Sequence, residues 1–351
     1  MTTVDPTVVQ RIEDAINFRR PDRVPVWEAL ENKAVYEHFA PGVPFPQCAA
    51  IACERLGIDA TYGCMQPVED QDLPTREGFV VASGTLWHTK PRFRTLADLR
   101  AWRPGKISRH AIEEQVLEAH QEQAEAYAPH TMFLSQEGGW GFLTEHDTQT
   151  WTVIAIAICE DLASLERIWD HRMERAIIRN TAIARGRLCP VVQCCEDIAY
   201  KGGLMVSPDL LRTQFWPRFR QVITPFKAAG IKVIWHSDGN IADVLDDAIA
   251  CGIDGINPVD PSAGMSIAAI RARYPALILV GNVDGMKVLP LGTQEEVRQE
   301  VRRCIGAAAG RDGGHLLQCG CGQIMPDVPL GNVIAYLDEA HRFGRYPVDR
   351  G

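Results

Sequence analysis

Apolar residues Ile231, Val233 and Ile234 are followed at once by a polar cluster: His236, Ser237, Asp238, Gly239 and Asn240. Residues 241–251 then carry apolar side chains at 241, 244, 245, 248 and 249, the spacing of one helix face. The order is strand, polar tip, helix, and it recurs along the chain. Strands are expected at 131–135, 188–194, 231–235, 255–257, 277–281 and 314–317. Helices are expected at 108–127, 150–158, 162–184, 208–229, 241–251, 266–273, 293–309 and 330–342, with Pro217 and Pro225 interrupting the fourth. Thr293 with Glu296 three residues later is a capping-box signature. The N-terminal third is less regular. It holds a helix over 8–18, a short strand over 23–29 reaching Glu28, a partly helical stretch over 32–47, a helix over 49–56 leading through the Gly57-Ile58-Asp59 turn to a short strand, and a hairpin over 78–91. Apolar rather than alternating strands, each followed by a helix, predict a parallel sheet covered by helices. Their number predicts a single (β/α)8 TIM barrel over residues 1–351, an α/β fold, with 1–107 carrying helical and hairpin additions around its mouth.

Composition narrows the function classes. Of 351 residues 46% are apolar, enough for one large core, and the formal net charge is −9. That charge argues against nucleic acid as a partner. The first ten residues, MTTVDPTVVQ, show no basic stretch leading into an apolar run, and no apolar run reaches membrane-spanning length. The expectation is a cytoplasmic protein without a membrane partner, a homodimer being left open. Eleven cysteines are scattered along the chain, and only Cys194-Cys195 and Cys319-Gly320-Cys321 look organised.

In a barrel, chemistry gathers at the C-terminal ends of the strands. The candidates there are Glu28, Gln136-Glu137, Glu196-Asp197, His236-Asp238, Asp260, Asn282-Asp284 and Cys319-Cys321. An imidazole, a carboxylate and a thiolate, as in His236, Asp238, Cys319 and Cys321, can hold a zinc ion and leave one position open. The alternative is a hydrogen-bonded His–Asp pair beside two buried thiols. Asp197 is a cation ligand or an acid–base group, or else a turn residue. Glu28 is a further oxygen ligand or a solvated side chain. The loop Gly138-Gly139-Trp140-Gly141 could line a pocket for a flat substrate or cofactor, or simply turn with its indole packed. Trp87 and His88 on the hairpin invite the same pair of readings. Asn282 and Asp284 could orient a bound molecule or cap a strand end.

Five segments carry a resemblance: 196–208 (EDIAYKGGLMVSP), 236–240 (HSDGN), 252–265 (GIDGINPVDPSAGM), 281–289 (GNVDGMKVL) and 313–347. They resemble the uroporphyrinogen decarboxylase superfamily, from about Arg11 to Pro347 and most strongly after residue 190. The resemblance implies a (β/α)8 barrel with its pocket at the C-terminal mouth. True decarboxylases carry an arginine-bearing RQAGR-type segment after the first strand. Residues 26–32 here read VWEALEN, without either arginine, so a polycarboxylate tetrapyrrole lacks its expected anchors.

The other branch holds zinc-dependent methyltransferases that work with a corrinoid protein. Their His-x-Cys motif and late Gly-Cys align with His236 and Cys321, and Asp238 stands where the middle cysteine would be. The resemblance therefore implies zinc on a harder donor set, with Cys319 or Glu28 completing it and more affinity for an oxygen substrate than for a thiol. The expected activity takes a methyl group from a small methoxylated, aromatic donor to the cobalt of a corrinoid (cobalamin) protein. Asp197, Glu196 and Asp238 are the carboxylates expected to assist, with Trp140, Asn282 and Asp284 lining the cofactor or substrate. Two alternatives stay open: a decarboxylase or lyase of a small organic acid, and a non-catalytic binding component of a corrinoid system.

Overall fold

Seven short parallel strands hold the core of the computed structural model, which describes residues 3–66, 79–82, 85–88, 91–136, 138–143, 148–309 and 312–348. They are β1 (Ala60–Thr61), β2 (Met132–Phe133), β3 (Val191–Cys195), β4 (Lys232–His236), β5 (Gly255–Asn257), β6 (Ile278–Val280) and β7 (His315–Leu316). Five of them form one parallel sheet in the order β7-β6-β5-β4-β3, and β1 pairs with β2. Further links join the two sheets. Val26 bridges Leu317 and Trp27 bridges Ala60, both in parallel sense. On the other side the Gln193 N–H donates to the Ser135 carbonyl at 2.9 Å. The architecture is thus an α/β fold with a parallel core and helices outside it, as the run of apolar strands predicts.

The central strands are buried along their length and open only at their tips. Val233, Ile234 and Trp235 of β4 are fully buried, as are Val191, Val192 and Cys194 of β3. Fully burying one such aliphatic side chain contributes about 1.5–3 kcal/mol. This apolar run sets the register, because a slip of one residue would turn the buried set outward. With that register, Cys195 lies opposite His236, and His236 opposite Asn257. Three strand ends are therefore level, and the residues just after them meet.

Local signals explain the covering helices. Asp5 caps Pro6–Ile16 by accepting from the Thr7 N–H at 2.7 Å, and Ser108 caps Arg109–Tyr127. Thr293 and Glu296 form the expected capping box at the start of Gln294–Ala308. The stretch 162–184 becomes one continuous helix, Leu162–Gly186. Two expectations change in detail. Pro217 falls in the first turn of Trp216–Ala229, and the helix runs on through Pro225. A π-helical turn, Leu211–Phe215, precedes it. The helix expected over 241–251 starts as a short 3₁₀ turn, Ala242–Val244, and continues as Leu245–Cys251.

At the start of β1, Asp59 receives Arg11 and Arg23, each at 2.6 Å, and the Val26 N–H at 2.8 Å. This buried carboxylate ties the first helix and the 23–26 segment to the sheet. Phe79–Ala82 and Thr85–His88 pair as the expected antiparallel hairpin. Its side chains, those of Trp87 and His88 included, lie outside the described set, as does Glu137. Among the described residues no helix is long and apolar enough to cross a membrane.

Candidate functional site

His236 ends β4, and Asp197 and Asp238 follow β3 and β4 by two residues each. One ligating atom from each lies within 4.8 Å of the others. The His236 Nε2 is 3.8 Å from Asp197 Oδ1 and 3.9 Å from Asp238 Oδ1, too far for hydrogen bonds. Asp197 is fixed in place by the Asp238 N–H, which donates to its Oδ1 at 2.8 Å. The two carboxylates therefore surround the imidazole edge without bonding it.

The other ring nitrogen explains why. Nδ1 of His236 lies 2.5 Å from Asn257 Oδ1. The Asn257 amide nitrogen donates to the Val280 carbonyl at 3.2 Å and to Gln318 Oε1, so its oxygen must face the ring and Nδ1 must carry the proton. Neutral His236 then presents the Nε2 lone pair to the carboxylates. Burial pulls the His236 pKa down, but Asp238, Asp197 and the Asn257 contact outweigh it and the net shift is upward. Burial raises the Asp238 pKa, and neighbouring Asp197 and Asp260 add to the rise against His236. Both shifts describe a pocket with surplus negative charge, which a proton or a metal cation relieves. The donor set, one imidazole nitrogen and two carboxylate oxygens, with the second ring nitrogen hydrogen-bonded, suits a divalent cation.

The cysteines form a second group. Glu28, fully buried, accepts from the Cys319 N–H and the Tyr336 hydroxyl at 2.9 Å each and from the Cys319 thiol at 3.3 Å. Burial pushes its pKa up to about 7 against these bonds. The Cys319 and Cys321 sulfurs are 3.8 Å apart, and the Cys321 thiol faces the Gln323 carbonyl at 3.1 Å. The two groups meet through Gly322. A Cβ there would sit 3.8 Å from His236 Cε1 and 3.3 Å from the Tyr62 hydroxyl. The Gly322 carbonyl accepts from Tyr62 and from Gln318 Nε2. A polar chain thus runs from His236 through Asn257 and Gln318 to Gly322 and Tyr62.

Residues 180–343 match the family model for uroporphyrinogen decarboxylase (URO-D). Along its length the chain is similar to a methyltransferase from Methanosarcina mazei, with 20% identity and a TM-score of 0.67, covering 97% of this chain and 99% of that one. The chain shares its fold with that methyltransferase. No curated protein sequence matches it. At that level of identity the likeness is one of fold.

Within this fold, the remaining sequence candidates separate by their contacts. Glu196 is buried, and its oxygens accept from the backbone N–H groups of Trp140, Gly141 and Phe142, the last two at 2.8 and 2.9 Å. Burial raises its pKa to about 7 despite these donors. The Trp140 indole is buried against Phe142 and Phe215, with centroids 5.4 and 6.0 Å apart. Asn282 donates to the Val259 carbonyl at 2.9 Å, and Asp284 Oδ1 caps the following turn at the Met286 and Lys287 N–H groups. None of these four residues belongs to the Asp197–His236–Asp238 group. Asn257 and Gln318 are the residues that reading the sequence missed. The signal was a polar side chain at the end of an otherwise apolar run in each case, in GIN and in HLLQ.

Proposed function

We propose that the protein is a metal-dependent methyltransferase that moves a methyl group from a methoxylated, aromatic substrate to the cobalt of a corrinoid protein. The observation that carries this reading is the Asp197–His236–Asp238 group at the strand ends of a fold shared with a methyltransferase. We also infer that the links at Val26, Trp27 and Ser135 close the sheet into an eight-stranded barrel, the 23–30 segment supplying the eighth strand. The group then stands at the barrel mouth.

The metal we infer is zinc, held by His236 Nε2, Asp197 and Asp238, with Cys321 as the fourth ligand. Cys321 precedes Gly322, which lies against the imidazole. In this reading Glu28 and Cys319 support the Cys321 loop. A divalent cation there supplies Lewis acidity to an ether oxygen, and a corrinoid on a partner protein supplies the methyl acceptor. The chain's own residues do the rest. Asn257 orients His236, and the Asp238 N–H orients Asp197. Asp197 and Asp238, with side chains 42% and 55% exposed, would hold the cation at a solvent-open edge, where a departing phenolate takes its proton from water. Glu196 holds the Trp140 loop that walls the site.

The test is metal analysis together with methyl transfer. The purified protein should carry about one zinc per chain and form methylcobalamin from cob(I)alamin and a methoxylated aromatic. Gas release from an organic acid without cobalamin would instead favour a decarboxylase.

A further inference from the structure

The sulfurs of Cys53 and Cys64 lie 3.5 Å apart, and each is held there by a different element. Cys53 is on the helix Gln47–Leu56 and is fully buried. Cys64 follows β1 by three residues and is half-buried. The Cys64 N–H donates to the Tyr127 hydroxyl at 2.8 Å, and the Met65 N–H donates to the Leu30 carbonyl at 2.8 Å. The Tyr36 hydroxyl donates to the Met65 carbonyl at 3.0 Å. Helix and loop thus fix both ends of the sulfur contact. Both residues are free thiols, and neither belongs to the metal-ligating group. Cys319 and Cys321, with sulfurs 3.8 Å apart, belong to the site already described.

The two thiols are not equivalent. Burial pushes the Cys64 thiol up, but the hydrogen bonds it receives from Cys53 and Tyr127 outweigh this, and its pKa lies below the ordinary value. The hydrogen bond that Cys53 gives, and then its burial, hold Cys53 well above that value. Cys64 is therefore the more acidic thiol and also the residue of the two that solvent reaches, the two conditions for attack on an oxidant. Cys53 keeps its proton and is shielded. A disulfide needs the sulfurs about 2.0 Å apart, a closure within reach of side-chain rotation.

We propose that Cys53 and Cys64 are a peroxide-reactive dithiol pair, Cys64 taking the oxidant and Cys53 closing a disulfide on it. The Cys64 thiolate attacks one peroxide oxygen and breaks the O–O bond, giving a sulfenic acid and hydroxide. The hydroxide takes the Cys53 proton and leaves as water. The Cys53 sulfur then displaces hydroxide from Cys64, and the proton that Cys64 had released to solvent makes the second water. Two electrons pass from the thiols to the peroxide. The pair stands close to the candidate site. Tyr62, two residues before Cys64, donates to the Gly322 carbonyl, and Gly322 lies against His236. Oxidation ties the segment that carries Tyr62 to the helix Gln47–Leu56. The inference rests on the thiols and not on the methyl-transfer reading.

The experiment treats the reduced protein with hydrogen peroxide, blocks the remaining thiols in denaturant and maps cross-links by peptide mass spectrometry. A Cys53–Cys64 disulfide should form, and dithiothreitol should remove it. Dimedone then tests the order of events, with circular dichroism checking that each variant is folded. In Cys53→Ser it should trap a sulfenic acid at Cys64, at least about 10-fold more than in the wild type, where the neighbouring thiol resolves it first. In Cys64→Ser it should find none at Cys53. No Cys53–Cys64 disulfide at a peroxide dose that oxidises the exposed Cys159 overturns the pair. A sulfenic acid trapped at Cys53 instead of Cys64 overturns the assigned roles. The wild-type map decides the pair even where a variant does not fold. All these readouts are peptide masses, so they succeed or fail separately from zinc content and methyl transfer.

Discussion

The Nδ1 of His236 and the side-chain oxygen of Asn257 are 2.5 Å apart, and the rest of the Asn257 amide is committed to Val280 and Gln318. The imidazole tautomer is therefore set from behind. A hydrogen bond of this kind raises the basicity of the ligating nitrogen and fixes the ring plane. Replacing Asn257 with Leu removes it without opening a large cavity. We expect zinc affinity to fall by about 10–100-fold, measured by competition with a chromophoric chelator. Unchanged affinity would mean that His236 does not hold the ion.

The proposed ligand set can be read from colour. Cobalt(II) in place of zinc shows a sulfur-to-metal charge-transfer band when a thiolate is bound. The band should appear in the wild-type protein, vanish in Cys321→Ser and persist in Cys319→Ser. Asp197→Ala should lower metal occupancy in either background. Absence of the band in the wild type would restrict the set to His236, Asp197 and Asp238.

The strand–tip–helix order of 231–251 was legible because three apolar residues and a polar cluster have few alternatives. The Thr293–Glu296 capping box was legible for the same local reason. The site was legible only in part. His236 and Asp238 sit on one strand end and could be paired by eye. That Asp197 joins them depends on Cys195 lying opposite His236. That Asn257 stands behind them depends on the next register, His236 opposite Asn257. Both are long-range consequences of burying β3, β4 and β5, and no local motif encodes them. Pro217 and Pro225 misled for the opposite reason: proline is a local signal, and here the first falls in a helix's first turn while packing carries the helix past the second.

Glu196 is a loop anchor, and its removal should be costly. Three backbone N–H groups, from Trp140, Gly141 and Phe142, end on its two oxygens. The loop also approaches β3 closely, since a Cβ at Gly139 would collide with the Cys195 carbonyl. Glu196→Ala leaves the three donors without their acceptor, and we expect a loss of about 2–5 kcal/mol. Urea denaturation measures it, and tryptophan emission should report a wetter Trp140. A loss below about 0.5 kcal/mol would show that water replaces the carboxylate freely.

Glu28 makes stability depend on pH in a direction opposite to that of an ordinary paired carboxylate. Burial raises its pKa to about 7, while an unfolded glutamate titrates near its ordinary 4.5. Between those values the folded state binds the extra proton, so stability is greatest at low pH within this window and declines as pH rises toward 7. Above about 7 the charged form persists in both states and the penalty is constant. Buried His315, pushed down to about 3 by desolvation, acts the other way at lower pH, since its neutral form is favoured in the fold. The wild-type profile is therefore a sum, and a difference isolates the Glu28 part. Glu28→Gln keeps an acceptor for the Cys319 N–H and the Tyr336 hydroxyl but cannot ionise. Relative to wild type, its melting temperature should rise steadily from pH 4.5 to 7 and stay level beyond, in chelator-treated protein. A difference independent of pH across that window would show that Glu28 is charged throughout and that its hydrogen bonds outweigh its burial.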